Sequence, residues 1–93
     1  MEAVRWFRLA ADQGDASSQC SLGLCYKNGE GVPVDQVEAV RWYRLAADQG
    51  HTRAQFNLGC CYADGEGVPK DDVEAVRLFR LAADQGDAEA QCI

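Results

Sequence analysis

The stretch EAVRWFRLAADQG at 2–14 returns as EAVRWYRLAADQG at 38–50 and as EAVRLFRLAADQG at 74–86. The offset is 36 residues each time, and the intervening residues keep the same register. QCSLGLCYKNGEGVPVD (19–35) lies over QFNLGCCYADGEGVPKD (55–71), and a further copy opens with DAEAQCI at 87–93. Self-similarity at a period of this length marks a stacked-repeat architecture. One supersecondary unit cannot bury its apolar face alone, so successive units bury it against one another.

Each unit reads as two helices. Helix B is the repeated phrase. In the middle copy its apolar residues fall at Ala39, Trp42, Tyr43 and Ala46, the i, i+3, i+4, i+7 spacing of one helical face. Asp35 with Glu38, and Asp71 with Glu74, give an acidic version of the capping box at its start. Gly14, Gly50 and Gly86 stop it, because glycine takes the left-handed conformation at little cost. Helix A is expected over 16–28 and again over 52–64. Leu22, Gly23 and Tyr26 recur there as Leu58, Gly59 and Tyr62, with a small residue (Ser18, Ala54, Ala90) four positions before the leucine. Gly29 and Gly65 end helix A. GEGVP follows twice, a fixed connection that continues neither helix.

The unit resembles the Sel-one-like repeat, a member of the tetratricopeptide-like group of helical repeats. The resemblance is carried by Ala54, Leu58, Gly59 and Tyr62, by GEGVPKD, and by Ala75, Phe79, Ala82, Ala83 and Gly86. It covers essentially the whole chain. It implies an all-α fold, a right-handed α-solenoid of antiparallel helix pairs, and a role as an adaptor that binds other proteins. In this register residues 1–14 are helix B of an incomplete unit, 15–50 and 51–86 are full units, and 87–93 start another. The expectation is a fragment of a longer array, or a chain whose uncapped ends self-associate, since Trp6 and Phe7 have no preceding helix A to cover them.

Cysteine-rich secreted relatives of this family carry a disulfide from the end of helix B to the start of the next helix A. The matching positions here are Ala11 with Gln19 and Ala47 with Gln55, so that bridge does not carry over. The five cysteines are Cys20, Cys25, Cys60, Cys61 and Cys92. Helices pack about 8–10 Å axis to axis, and a disulfide needs Cα atoms within about 7 Å. That separates Cys25 from Cys61, equivalent positions one unit apart, which are read as small buried apolar residues; all five cysteines are read as mostly reduced. With no signal peptide in the segment, the expected compartment is the cytoplasm.

Catalysis and cofactors find no support in the residues. His51 is the sole histidine, and its register partners Asp15 and Asp87 mark it as a turn-side polar residue. GEGVP lacks the Lys-Ser/Thr of a phosphate loop, and Glu30 or Glu66 at its centre repels phosphate. There is no CxxC for zinc. The net charge of −6 argues against nonspecific nucleic-acid binding, and no apolar run approaches a membrane span. The expectation is a non-enzymatic module with no metal and no cofactor. The arginines Arg5, Arg8, Arg41, Arg44, Arg77 and Arg80 read as a solvated ladder on the outer side.

Helix B is uniform and helix A is not. Uniformity is read as the framework by which one unit sits on the next. The variable positions are Ser17/Arg53/Glu89, Cys20/Phe56/Cys92, Leu24/Cys60, Lys27/Ala63 and Asn28/Asp64. Their i, i+3, i+7, i+10, i+11 spacing is one face of helix A. In the tetratricopeptide-like group that face lines a groove for ligand peptides. The expected function is therefore binding of a protein or peptide partner, with Phe56 and Leu24 as apolar contacts and Lys27, Arg53 and Asp64 as polar ones. The alternative is an architectural segment that spaces or assembles other domains without a ligand of its own.

Overall fold

A computed structural model of the chain describes residues 2–85, apart from the Glu2 side chain. The expectations for Gly86, Glu89, Ala90 and Cys92 fall outside these residues. Five α-helices follow one another: α1 (Glu2–Asp12), α2 (Ala16–Asn28), α3 (Gln36–Asp48), α4 (Thr52–Asp64) and α5 (Asp72–Asp84). α1, α3 and α5 are copies of helix B; α2 and α4 are copies of helix A. Each packs against its neighbours in the chain, which gives an α-solenoid with a 36-residue period.

The helix ends follow from the chemistry of the caps. Asp35 and Asp71 accept the backbone N–H of Glu38 and Glu74, both at 3.1 Å. The glutamates complete no reciprocal box; they turn outward to Arg41 and Arg77. Asp15 caps α2 through the N–H and hydroxyl of Ser18. Gly29 and Gly65 close α2 and α4 at φ of 72° and 69°, where a side chain would be strained. After each of these glycines the chain returns at once: Asp35 N–H donates to Tyr26 O and Asp71 N–H to Tyr62 O, both at 2.9 Å.

Glycine within the LGxxY element has a packing reason. A Cβ at Gly23 would stand 2.7 Å from the Tyr43 ring, and one at Gly59 would stand 2.7 Å from the Phe79 ring. The aromatic of helix B thus lies flat on the bare backbone of helix A. Tyr43 is fully buried, with Ala39, Ala46, Ala54, Leu58 and Cys61 in the same cluster. Trp42, Leu22, Cys25, Val4 and Ala11 form a second cluster at the α1 side.

Stacking decides exposure at equivalent positions. Trp42 is 3% exposed and Trp6 is 64% exposed; Val40 is 6% exposed and Val76 is 48% exposed. Burying a large aromatic side chain is worth about 4–6 kcal/mol before entropy, from 150–250 Å² at ~25 cal/mol/Å². Only half of the repeated phrase is framework. Ala46, Ala47 and Ala82 are buried, whereas Leu9, Leu45 and Leu81 are exposed. The arginine ladder also needs correction. Arg8 and Arg44 donate to the Tyr26 and Tyr62 hydroxyls of the following unit and lie over those rings at 5.9 and 5.7 Å. They join units, while Arg41 stacks on Trp42 at 4.8 Å.

A thread of glutamines recurs with the period. Gln49 donates to Gln19 Oε1 (2.8 Å), and buried Gln19 donates to Ala11 O (3.1 Å). Gln85 donates to Gln55 Oε1 (2.6 Å), and Gln55 donates to Ala47 O (3.3 Å). Three successive helices are tied in this way at each step. Ala11–Gln19 and Ala47–Gln55 are the positions that match the bridge of cysteine-rich relatives. Here a buried side-chain amide takes the carbonyl, a bond worth about 1 kcal/mol that is costly to leave unmade.

Candidate functional site

On the helix-A side a cleft of about 490 Å³ opens between α2 and the turn that leads into α4. It is lined by Ser17, Cys20, Ser21 and Leu24 of α2, by Gly50 and His51 of the turn, and by Thr52 and Arg53 of α4. The Asp15 cap fixes where α2 begins, so its four residues fall at i, i+3, i+4, i+7 and face one way. Gly50, at φ +85°, turns the chain. His51 then caps α4 by accepting the N–H of Ala54 at Nδ1 (3.2 Å), the role that its register partner Asp15 has in α2.

The floor of the cleft is apolar and its rim polar. Cys20 is buried, and burial pushes its thiol up to about 11, partly offset by the nearby Arg53 guanidinium and by the Asn57 amide. Asn57 Nδ2 donates to Cys20 Sγ at 3.9 Å. Leu24 is half-buried against the Tyr43 cluster. Ser17 and Arg53 are exposed. Thr52 is committed to Gln85 Oε1 at 3.0 Å.

Of the ten groove positions expected from the sequence, the structure brings Ser17, Cys20, Leu24 and Arg53 together here. Phe56 is half-buried and turned into its own helix pair, with its ring centroid 5.0 Å from that of Phe79. Lys27 reaches the loop of the next unit, 4.0 Å from Glu66. Asn28 and Asp64 are exposed last residues of α2 and α4, and Ala63 is half-buried beside Asp64. Cys60 is buried. Ser21 was legible as a member of the same face, one turn after Ser17. Gly50, His51 and Thr52 carried no groove signal, because only tertiary packing brings that turn against α2.

The cysteines need one correction. Cys20, Cys25 and Cys61 are free and buried, with Cys61 pushed up to about 11 by burial. Cys60 is absent from the free cysteines and is disulfide-bonded, against the expectation that all five are mostly reduced. An axis-to-axis distance overstates the Cα separation, because each Cα stands about 2.3 Å off its axis. Facing residues on neighbouring helices can therefore meet the disulfide limit. Among the described residues no three His, Cys, Asp or Glu side chains are gathered for a metal ion. No helix there is long and apolar enough to cross a membrane.

The Sel1 repeat family model matches residues 1–15, 16–51 and 52–87. Among solved structures the chain is similar to c5321, a protective antigen present in uropathogenic Escherichia coli strains and displaying an SLR fold. The two are 54% identical over 88% of this chain and 18% of that one, with a TM-score of 0.87. It is similar to a Sel1 repeat protein from Oxalobacter formigenes, with 42% identity over 94% of this chain and 36% of that one, TM-score 0.88. It is also similar to Helicobacter pylori cysteine rich protein B, with 26% identity over 94% and 65% respectively, TM-score 0.88. The chain thus spans less than two thirds of each of these relatives. No curated protein matches. The period, the LGxxY and GEGVP elements and the match over nearly all residues agree: the chain belongs to the Sel1 repeat family.

Proposed function

We propose that the chain is a non-enzymatic protein-interaction module that seats a peptide segment of a partner in the cleft between α2 and the start of α4. Sel1 repeat proteins are in general protein-interaction or scaffold modules. The observation that carries the finer reading is the character of the cleft. Its wall includes a register pair at which the units differ in charge, Ser17 and Arg53, over the floor of Cys20 and Leu24. Framework positions must repeat for units to fit; positions that face a ligand need not. The test is selection from a displayed peptide library, followed by titration of the selected peptides into the chain and into a Leu24→Ser, Arg53→Ala variant of unchanged circular dichroism. Weakened binding by the variant supports the cleft. Equal binding would remove it.

A second reading, architectural stacking, is favoured by apolar side chains exposed on the first and last of the described helices. Trp6 of α1 and Val76 of α5 are exposed, and Val76 lies in a shallow cleft of about 660 Å³. Their counterparts Trp42 and Val40 are covered by neighbouring helices. These faces are suited to receive further helices or a second copy. Sedimentation equilibrium across a concentration series tests this, and a strict monomer at high micromolar concentration refutes self-association.

A further inference from the structure

The cleft has a charge character of its own within an acidic chain. The net charge is −6, yet the one full charge on the cleft wall is the Arg53 guanidinium. Most of the other cations are engaged: Arg8 and Arg44 with tyrosines, Arg41 and Arg77 with glutamates, and Lys27 with Glu66. Arg53 is exposed and takes no hydrogen bond or ion pair among the described residues. The cleft lining holds no carboxylate, and Asp15, the cap of α2, is occupied by the Ser18 N–H and hydroxyl at 3.0 and 2.5 Å. Ser17 and Ser21 add hydroxyls to the same wall, and Leu24 with Cys20 makes the floor apolar.

We infer that this cleft selects an acidic side chain of a partner peptide flanked by an apolar residue. The carboxylate takes the fork of Arg53, and the apolar neighbour lies on Leu24. A guanidinium matches a carboxylate through two parallel N–H donors. A volume near 490 Å³ lies within the range of ligand pockets. A single arginine in a chain of net −6 suits a monoanion; a phosphate dianion would meet stronger repulsion from the whole chain. The inference rests on the peptide-binding reading above and adds the chemistry of the ligand.

The test uses two fluorescein-labelled peptides that differ in one residue, Gly-Ser-Leu-Glu-Leu-Gly-Ser and the same peptide with Gln for Glu, with inorganic phosphate as a third probe. Binding is followed by anisotropy and by backbone amide shifts in the full chain. The expected result is at least tenfold tighter binding of the Glu peptide, with shifts at Ser17, Leu24 and Arg53. Arg53→Gln should erase the preference while leaving residual binding of both peptides. Leu24→Ser should weaken both equally. Equal affinity of the two peptides at the cleft overturns the acidic preference and leaves peptide binding standing. Absence of shifts at the cleft with either peptide counts against both readings. Competition by phosphate as strong as by the Glu peptide overturns the choice of a carboxylate.

Discussion

Gly23→Ala tests whether the aromatic of helix B truly rests on the backbone of helix A. Two effects oppose each other. Alanine is favoured over glycine inside a helix by about 1 kcal/mol, so in isolation the change should stabilise α2. In place, the new Cβ would stand 2.7 Å from both Cδ1 and Cε1 of Tyr43 and 3.2 Å from Ala39 O. Tyr43 is fully buried and held within the main cluster, so its ring has no free direction. Overpacking of this kind costs about 1–3 kcal/mol, and a ring forced off its rotamer adds about 0.5–1.5 kcal/mol. The net expectation is a loss of about 1–2 kcal/mol, or roughly 4–8 °C in Tm per kcal/mol for a domain of this size. Gly59→Ala meets the same contact at 2.7 Å with Phe79, but that ring is only half-buried and can shift, so its net effect should lie near zero. Urea unfolding followed by circular dichroism at 222 nm reads both variants, alone and with Tyr43→Leu. The loss from Gly23→Ala should shrink in the Tyr43→Leu background. A Gly23→Ala chain as stable as Gly59→Ala, or a loss undiminished by Tyr43→Leu, would refute the contact.

Three further outcomes are expected. Tyr43→Phe should stabilise the chain by about 1 kcal/mol in the same unfolding assay, because the Tyr43 hydroxyl is buried without a hydrogen-bond partner and phenylalanine already stands at positions 7 and 79; a loss of stability would mean the hydroxyl is satisfied. Cys20 and Cys61, raised to about 11, should hold about a thousandth of their thiols as thiolate at pH 8, some hundredfold less than at the reference value of 9.0. Their reaction with a disulfide reagent should accordingly be slow in the folded chain and fast in urea, and rapid native labelling would contradict their burial. The hydrogen bonds from Ser18 hold the Asp15 carboxyl below its ordinary 3.8. Its contribution to stability is complete well above 3.8 and is lost as pH falls through the lower folded value. Asp15→Asn should therefore flatten the acid limb of the stability profile, and an unchanged limb would show that the cap carries no linkage.

The period, the helix limits and the caps were legible because they are local. An Asp before a helical face, or a glycine with positive φ after it, acts within a few residues, and α2 and α4 begin and end where those signals stand. The family is equally legible, since LGxxY and GEGVP are continuous strings. Three of the eight residues that line the candidate site were not. Ser17, Cys20 and Leu24 share a face of one helix, which periodicity reveals. Gly50, His51 and Thr52 join them only because the solenoid folds the α3–α4 turn against α2, across 26 to 35 residues of chain.

Packing also separated residues that the register treats alike. Phe56 and Cys20 occupy one position, yet Phe56 stacks on Phe79 while Cys20 lines the cleft. Four of the recurring arginines divide in two: Arg8 and Arg44 bind the next unit's tyrosine, and Arg41 and Arg77 pair with a glutamate one turn back. Period and propensity depend on neighbours along the chain, so they can be read from order alone. Which face is covered, and which cation is left without a partner among the described residues, depends on groups that meet only in the stack. That is why the repeat could be read before its structure was known, while the cleft at Arg53 waited on the fold.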